Sequence, residues 1–234
     1  MTKYWGVIPA AGTGMRMNCE TPKQFMQLGD CKLIEWTVRT VAGHQALQGV
    51  YIGLSADNQY SDWVASIHEK VLGIYPGGSS RSETVLNGIR HMLGQGCSVD
   101  DWVLVHDCNR PFLSSAEITD LIQQVGDDDN GGILSQPIFD TIKVESSGRI
   151  DKTMPRGELF RAQTPQMFRL GALGNALEDS IKTGVEVTDE AQAMERMGHH
   201  PRLVPGRAAN IKITTPEDMR LAQAMLDFEL IDRQ

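Results

Sequence analysis

The amino-acid sequence predicts an α/β protein: a Rossmann-like, mostly parallel sheet with helices on both faces and a β-arm inserted past its middle. Three observations predict it. Apolar strand-like runs alternate with helically spaced segments as far as Ser135. The run Trp102-Val103-Leu104-Val105 is continuously apolar, as in a strand buried on both faces. At Ile138 the pattern changes to two short alternating runs joined by Ser-Ser-Gly, as in a hairpin. Repeated strand–helix order gives a parallel sheet covered by helices, and right-handed crossovers bring the strand C-termini and their loops to one edge, where ligands bind.

The first strand spans 4–9. Residues 33–44 carry Leu33, Trp36, Thr37 and Val41 at helical spacing and run toward Gly43. A strand is predicted at 50–54, a helix at 63–70 and a strand at 71–75. Residues 82–93 form a helix, with Val85, Ile89 and Leu93 on one face and Gly77-Gly78-Ser79-Ser80 leading in. The strand at 102–106, a helix at 116–125 and a strand at 132–135 follow. The arm covers 138–158 and holds strands at 141–145 and 149–152. An isolated hairpin is marginal in water, so the arm is expected to pack on something, a partner subunit being one candidate. Helices at 170–183 and 189–197 and strands at 202–205 and 210–213 lead to a last helix. There Thr215 suits the N-cap, Pro216 the first turn, and Glu217 and Asp218 the positive helix end. Residues 1–234 thus read as a single domain carrying its arm.

Composition narrows the function. The formal net charge is −8, which argues against generic nucleic-acid binding but leaves room for a local cationic pocket. The first residues form no apolar signal region, and no run is long enough to span a bilayer, so a cytoplasmic protein without a membrane partner is expected. The four cysteines lack the Cys-x-x-Cys spacing of metal sites and read as free thiols of a reducing compartment.

The most informative segment runs from Val7 to Lys23. The first strand empties into a turn containing Gly12 and Gly14, and Arg16 and Lys23 follow. Such a turn lets backbone N–H groups converge on an anion, while the two cations neutralise phosphate charge as it builds. The dinucleotide fingerprint fails because Met17 stands in place of its third glycine. The ATPase P-loop fails because no Gly-Lys is followed by Ser or Thr. The alternative is an ordinary strand-to-helix turn with a surface Arg and Lys.

Other clusters fall where predicted strands end. Gly77-Gly78-Ser79-Ser80-Arg81, with Thr84 a turn on, suits the approach of a planar base, or else a loop with capping serines. In His106-Asp107-Cys108-Asn109-Arg110-Pro111, a carboxylate ending a buried strand needs a partner or a ligand. Asp107 is a candidate to hold Mg²⁺ or a hydroxyl-bearing substrate; the alternative is an ion pair with Arg110. One carboxylate suffices for magnesium when phosphates supply the remaining ligands.

Taken in order, these segments resemble the 2-C-methyl-D-erythritol 4-phosphate cytidylyltransferases of the non-mevalonate isoprenoid pathway. The matching pieces are Pro9-Ala10-Ala11-Gly12-Thr13-Gly14…Arg16-Met17, Pro22-Lys23-Gln24, Val105-His106-Asp107…Arg110-Pro111, Asp140-Thr141, Thr164-Pro165-Gln166, Thr188-Asp189-Glu190 and Gly206-Arg207…Asn210-Ile211-Lys212…Pro216-Glu217-Asp218. They extend over nearly the whole chain.

The resemblance implies a nucleotide-diphospho-sugar transferase type of fold. It also implies a reaction of CTP with the methylerythritol phosphate, giving the cytidine diphosphate derivative and pyrophosphate with Mg²⁺ or another divalent cation. It assigns Arg16 and Lys23 to transition-state stabilisation, and Arg156 and Lys212 to positioning the sugar phosphate. In the family the arm comes from the other subunit, so Arg156 is expected to act across a homodimer interface. Asp107, Arg110 and Thr141 match substrate contacts, with Thr164 and Thr188 nearby. Ala10, Ala11, Gly12, Gly78, Ser79 and Thr84 match the cytidine pocket.

Two places depart from the family pattern. Cys108-Asn109 stands where two small residues are common, and Thr84 replaces a frequent Ser while keeping the hydroxyl. A ribitol 5-phosphate cytidylyltransferase is the alternative enzyme, and a silent nucleotide-binding protein the alternative class. Retention of Arg16, Lys23, Arg156 and Lys212 together argues against the silent protein.

Overall fold

A computed structural model describes residues 2–12 and 21–228. Its centre is a seven-stranded sheet. The strands are β1 (Tyr4–Pro9), β4 (Leu47–Leu54), β5 (Val71–Pro76), β6 (Trp102–Val105), β7 (Gly132–Pro137), β10 (Phe160–Arg169) and β11 (Arg202–Pro205), in the spatial order β11-β7-β10-β6-β1-β4-β5. All neighbours are parallel except β10, which runs antiparallel to both β6 and β7. Outside it lie two short hairpins, β2 (Gln27–Leu28) with β3 (Cys31–Lys32), and β8 (Lys143–Ser146) with β9 (Arg149–Thr153).

Helices cover both faces, as the alternation predicts. On one face α1 (Leu33–Gly43), α2 (Ser61–Ala65) and α4 (Ser115–Val125) contribute Ile34, Val38, Val64, Ile118 and Leu121 to a buried cluster with Ile8, Ile52, Trp102 and Leu104. On the other, α3 (Arg81–Gly94), α5 (Leu170–Lys182) and α6 (Glu190–Arg196) contribute Val85, Ile89, Leu173, Leu177 and Met194 to a cluster with Val7, Val103, Val105 and Phe168. The four residues of β6 thus divide by the two-residue period of a strand, Trp102 and Leu104 to one face, Val103 and Val105 to the other. A third cluster packs Ala222 and Leu226 of α7 (Pro216–Asp227) against Leu28, Leu33, Phe112 and Ile213.

The caps explain the helix starts. Ser80 accepts from the Glu83 N–H, and Ser114 with Glu117 forms a capping box. Thr215 with Asp218 forms another, with Pro216 in the first turn as expected.

Several elements differ from the sequence reading, the β2–β3 hairpin among them. Helix α2 stops at Ala65 rather than continuing to 70: its end tightens, with Ser66 N–H shared onto Trp63 O and Ile67 N–H donating to Val64 O, and Lys70 N–H then goes to the His68 ring. Residues 210–213 form no strand; their bonds follow no ladder, with Asn210 Nδ2 donating to Thr164 O in β10 and Ile213 N to Asn109 O in the loop after β6. The long strand β10 was not anticipated.

The β8–β9 hairpin falls within 138–158. It turns through Ser147 and Gly148, with φ of 51° and 76°, the paired positive values that let a two-residue turn follow the strand twist. The arm stands away from the body, leaving Phe139 78% and Ile150 66% exposed.

Candidate active site

The C-terminal ends of β1, β4, β5 and β6 share one edge of the sheet, and a cleft of about 500 Å³ opens there. The end of β1 is fixed by Ala10 N–H donating to Gly53 O at 2.8 Å. Gln24, buried in a 3-10 turn over Lys23–Phe25, donates to both Ala10 O (2.8 Å) and Gly12 O (3.0 Å), so the turn bearing Lys23 is tied to the glycine loop. Arg16 lies outside the described residues, as does Gly14.

The second wall is the loop after β5. Gly77 packs so closely on Ala11 that any side chain there would strike the Ala11 methyl. The Thr84 hydroxyl organises this loop, accepting from Gly78 N–H at 3.0 Å and donating to Ser80 O at 2.8 Å. Ser79 donates through both N–H and Oγ to Glu83 Oε2. Ala11, Gly12, Gly78, Ser79 and Thr84 all line the cleft, while Ala10 is buried behind it. The small residues of this wall leave backbone accessible to a flat ring.

The floor is a charge network around Asp107. Its Oδ1 accepts from Arg81 Nε at 2.8 Å, and its Oδ2 pairs with Lys212 Nζ at 2.9 Å and with Arg110 Nε at 3.6 Å. Arg81 also forks onto the fully buried Glu190, Nη1 to Oε1 at 2.6 Å and Nη2 to Oε2 at 3.0 Å, a bidentate pair. Burial alone would raise the Asp107 pKa, but Arg81, Lys212 and Arg110 hold its carboxyl well below the usual range. Burial likewise opposes charge on Arg81, and Asp107 and Glu190 reverse that, keeping the guanidinium protonated. Beside them the Cys108 thiol is pushed up to about 11 by burial, so it is no nucleophile at neutral pH.

The loop after β6 is held from beneath. His106 is buried, with Nε2 3.1 Å from Arg110 O and Nδ1 2.9 Å from Thr164 Oγ1. A carbonyl can only accept, so Nε2 carries the proton and Thr164 donates to Nδ1. The Thr164 oxygen in turn accepts from Asp107 N–H at 3.1 Å. Burial keeps this histidine neutral, with its pKa lowered to about 4.

The candidate residues are therefore not all in one place. Lys23, Asp107 and Lys212 line the main cleft. Thr164, Thr188 and Arg110 line a smaller adjoining cavity of about 140 Å³, which shares Arg81, Asp107 and Lys212 with it. Arg110 also spends donors on Asn210 O and Ala162 O. Thr141 and Arg156 are exposed on the arm, outside both cavities, and Arg156 donates to Phe139 O. Arg81 and Glu190 were not singled out from the sequence as site residues. A signal existed for Arg81: a cation opening a helix sits against the positive dipole end and needs a reason to be there.

The protein alone offers a metal ion one carboxylate here, and cations face it. Asp107 is the one carboxylate among the described residues lining the cleft, and its oxygens already face Arg81, Lys212 and Arg110. No group of three potential metal ligands stands together among the described residues. No helix among the described residues is long and apolar enough to cross a membrane.

Comparison with known proteins matches residues 5–228 to the family model for 2-C-methyl-D-erythritol 4-phosphate cytidylyltransferase. The enzyme of that name from Pseudomonas syringae pv. tomato is 45% identical over 217 residues, 92% of each chain. That from Pseudomonas aeruginosa is 44% identical over 220 residues, covering 92% of this chain and 93% of the relative. Among solved structures, a 4-diphosphocytidyl-2C-methyl-D-erythritol synthase superimposes with a TM-score of 0.85 at 35% identity, over 97% of this chain and all of the other. The Francisella tularensis cytidylyltransferase does so with a TM-score of 0.80 at 30% identity, over 95% of this chain and 99% of the other.

Proposed function

This chain belongs to the 2-C-methyl-D-erythritol 4-phosphate cytidylyltransferase family, and we infer from that premise how its cleft works. The enzyme transfers the cytidylyl group of CTP to 2-C-methyl-D-erythritol 4-phosphate, giving 4-diphosphocytidyl-2-C-methyl-D-erythritol and pyrophosphate. The observation that carries the residue assignment is the convergence of Lys23, Arg81 and Lys212 on one cleft whose opposite wall is small residues and backbone.

The cytosine ring lies against Ala11, Gly12, Gly78 and Ser79, where the close Gly77–Ala11 approach supports a slot for one flat ring. The triphosphate runs past Gly12 toward Lys23. The acceptor's phosphate oxygen attacks the α-phosphorus in line, and pyrophosphate leaves. Negative charge concentrates around the phosphorus as the new bond forms, so fixed cations lower the barrier most. Lys23 and Arg16 serve that charge. Lys212 holds the acceptor phosphate, turning from Asp107 toward it, and its half-exposed ammonium supports this role. Asp107, Thr164 and Thr188 surround the polyol. A divalent cation, magnesium by preference, would when bound with CTP supply further neutralisation of phosphate charge.

Arg156 and Thr141 complete the acceptor site from the partner's arm in a homodimer. The exposed Phe139 and Ile150 support such an interface, since a free hairpin with bare apolar side chains gains by being covered. The enzyme works in the cytoplasm on soluble phosphorylated substrates.

Pyrophosphate release from CTP, with methylerythritol 4-phosphate and ribitol 5-phosphate offered in parallel, tests the reading. Release is expected with the first and not the second. Release with ribitol 5-phosphate alone would keep the chemistry and overturn the acceptor. Silence with both, from folded protein that binds CTP, would leave a nucleotide-binding protein.

A further inference from the structure

Asn109 lines the cleft and is 3% exposed, yet no step above uses it. Its bonds all run to one residue. The Asn109 carbonyl accepts from Ile213 N–H at 2.9 Å, and its side-chain Nδ2 donates to Ile213 O at 2.6 Å. A carbonyl oxygen faces this amide, so the side chain must present its NH₂ end. Two bonds in opposite directions thus staple the loop after β6 to the irregular strap before α7. Ile213 is fully buried in the cluster with Leu28, Leu33 and Phe112, so the strap is pinned on its apolar side as well.

The staple lies between two cations. Lys212, the preceding residue of the strap, pairs with Asp107, two positions before Asn109. Lys23 Nζ donates to the same Ile213 carbonyl oxygen at 3.4 Å. One acceptor therefore carries both the Asn109 amide and the Lys23 ammonium.

We propose that Asn109 is a positioning residue that sets the placement of Lys23 and Lys212 relative to each other. The inference rests on the roles given to those two lysines above. With the amide in place, Ile213 O has one strong, short donor, and the longer Lys23 bond yields readily to a phosphate. Without it, the buried carbonyl is left to Lys23, which is then held back from the cleft, and the strap bearing Lys212 loses one of the two bonds that tie it to Asn109. Displacements of this kind, far smaller than unfolding, are enough to cost large factors in rate.

The test measures kcat and both KM values for the wild type, Asn109→Ala, Lys212→Ala and the double variant, with thermal melting alongside. Asn109→Ala is expected to lower kcat roughly tenfold and raise KM for the polyol phosphate several-fold. In the Lys212→Ala background the same change is expected to add markedly less, because the residues act as a unit. Wild-type kinetics in Asn109→Ala, or equal losses in both backgrounds, would overturn the proposal while leaving the lysines' roles intact. Wild-type kinetics in Lys212→Ala would remove the reading beneath it and the proposal with it. Should Asn109→Ala fail to fold, Asn109→Asp preserves the volume and the backbone bond but faces Ile213 O with a second acceptor beside Lys23. Its kcat is expected to fall further than tenfold, and an unchanged kcat would overturn the proposal.

Discussion

Lys212 Nζ stands 2.9 Å from Asp107 Oδ2, joining the strap before α7 to the end of the central strand β6. The other oxygen of Asp107 belongs to Arg81, and Arg81 belongs equally to Glu190. The cleft floor is therefore one chain of alternating charge, Glu190–Arg81–Asp107–Lys212, drawn from four separate elements. Its exposed end is the ammonium, and its buried end is a carboxylate with no access to solvent.

Glu190→Ala should show what the buried end is worth. It leaves Arg81 compensated by Asp107 alone and draws that carboxylate away from Lys212. Breaking a buried pair from one side costs about 3–5 kcal/mol, and a loss in that range is expected in urea unfolding. A rise in KM for the polyol phosphate should accompany it. A change under about 1 kcal/mol would mean that Glu190 contributes no more than an exposed pair does.

His106 gives the fold a defined acid sensitivity. In the folded protein it stays neutral down to about 4, against an ordinary value of 6.5. Between those values the unfolded chain takes up a proton that the folded chain refuses, so stability falls as pH falls from 6.5 toward 4 and is unaffected by this group above 6.5. The loss between pH 6.5 and pH 5 should be about 2 kcal/mol. His44, whose pKa burial also lowers, adds in the same direction. Urea midpoints at pH 7 and pH 5 should differ less in His106→Gln than in the wild type; an equal difference would show that His106 does not carry the effect.

Lys23→Ala is expected to lower kcat about 10²–10³-fold without altering assembly. If the arm completes the partner's site, mixing Lys23→Ala chains with Arg156→Ala chains should restore activity at sites built from two intact halves. Turnover assays on the purified mixed dimer check both statements. A stable mixed dimer that stays inactive would place Arg156 outside the shared site.

The parts of this fold visible in the sequence are those that local pattern controls. The apolar run at Trp102–Val105, the caps at Ser80 and Thr215, and the hairpin near Ser147-Gly148 each follow from neighbouring residues. Strand β10 was hidden because Pro165 within it cannot donate to a ladder, and its pairing is interrupted between Ala162 and Gln166. Residues 210–213 have strand-like composition, but Asn210 reaches Thr164 of β10 through its side chain and Ile213 bonds to the loop at Asn109, so no backbone ladder forms. Glu190 looked like a helix-start acid, which is also what it is; its bond to Arg81 spans 109 positions and leaves no local trace. Asp107 was legible as a carboxylate needing a partner, but Arg81 and Lys212 among its partners came only with the fold.

The most direct test follows the label from CTP carrying ³²P at the α-phosphorus, or separately at the γ-phosphorus, in the presence of methylerythritol 4-phosphate. In-line cytidylyl transfer predicts that the α-label appears in the cytidine diphosphate product and the γ-label in pyrophosphate, in equal amounts and only when the acceptor is present. Release of the α-label as CMP, or appearance of the γ-label in the organic product, would contradict the account.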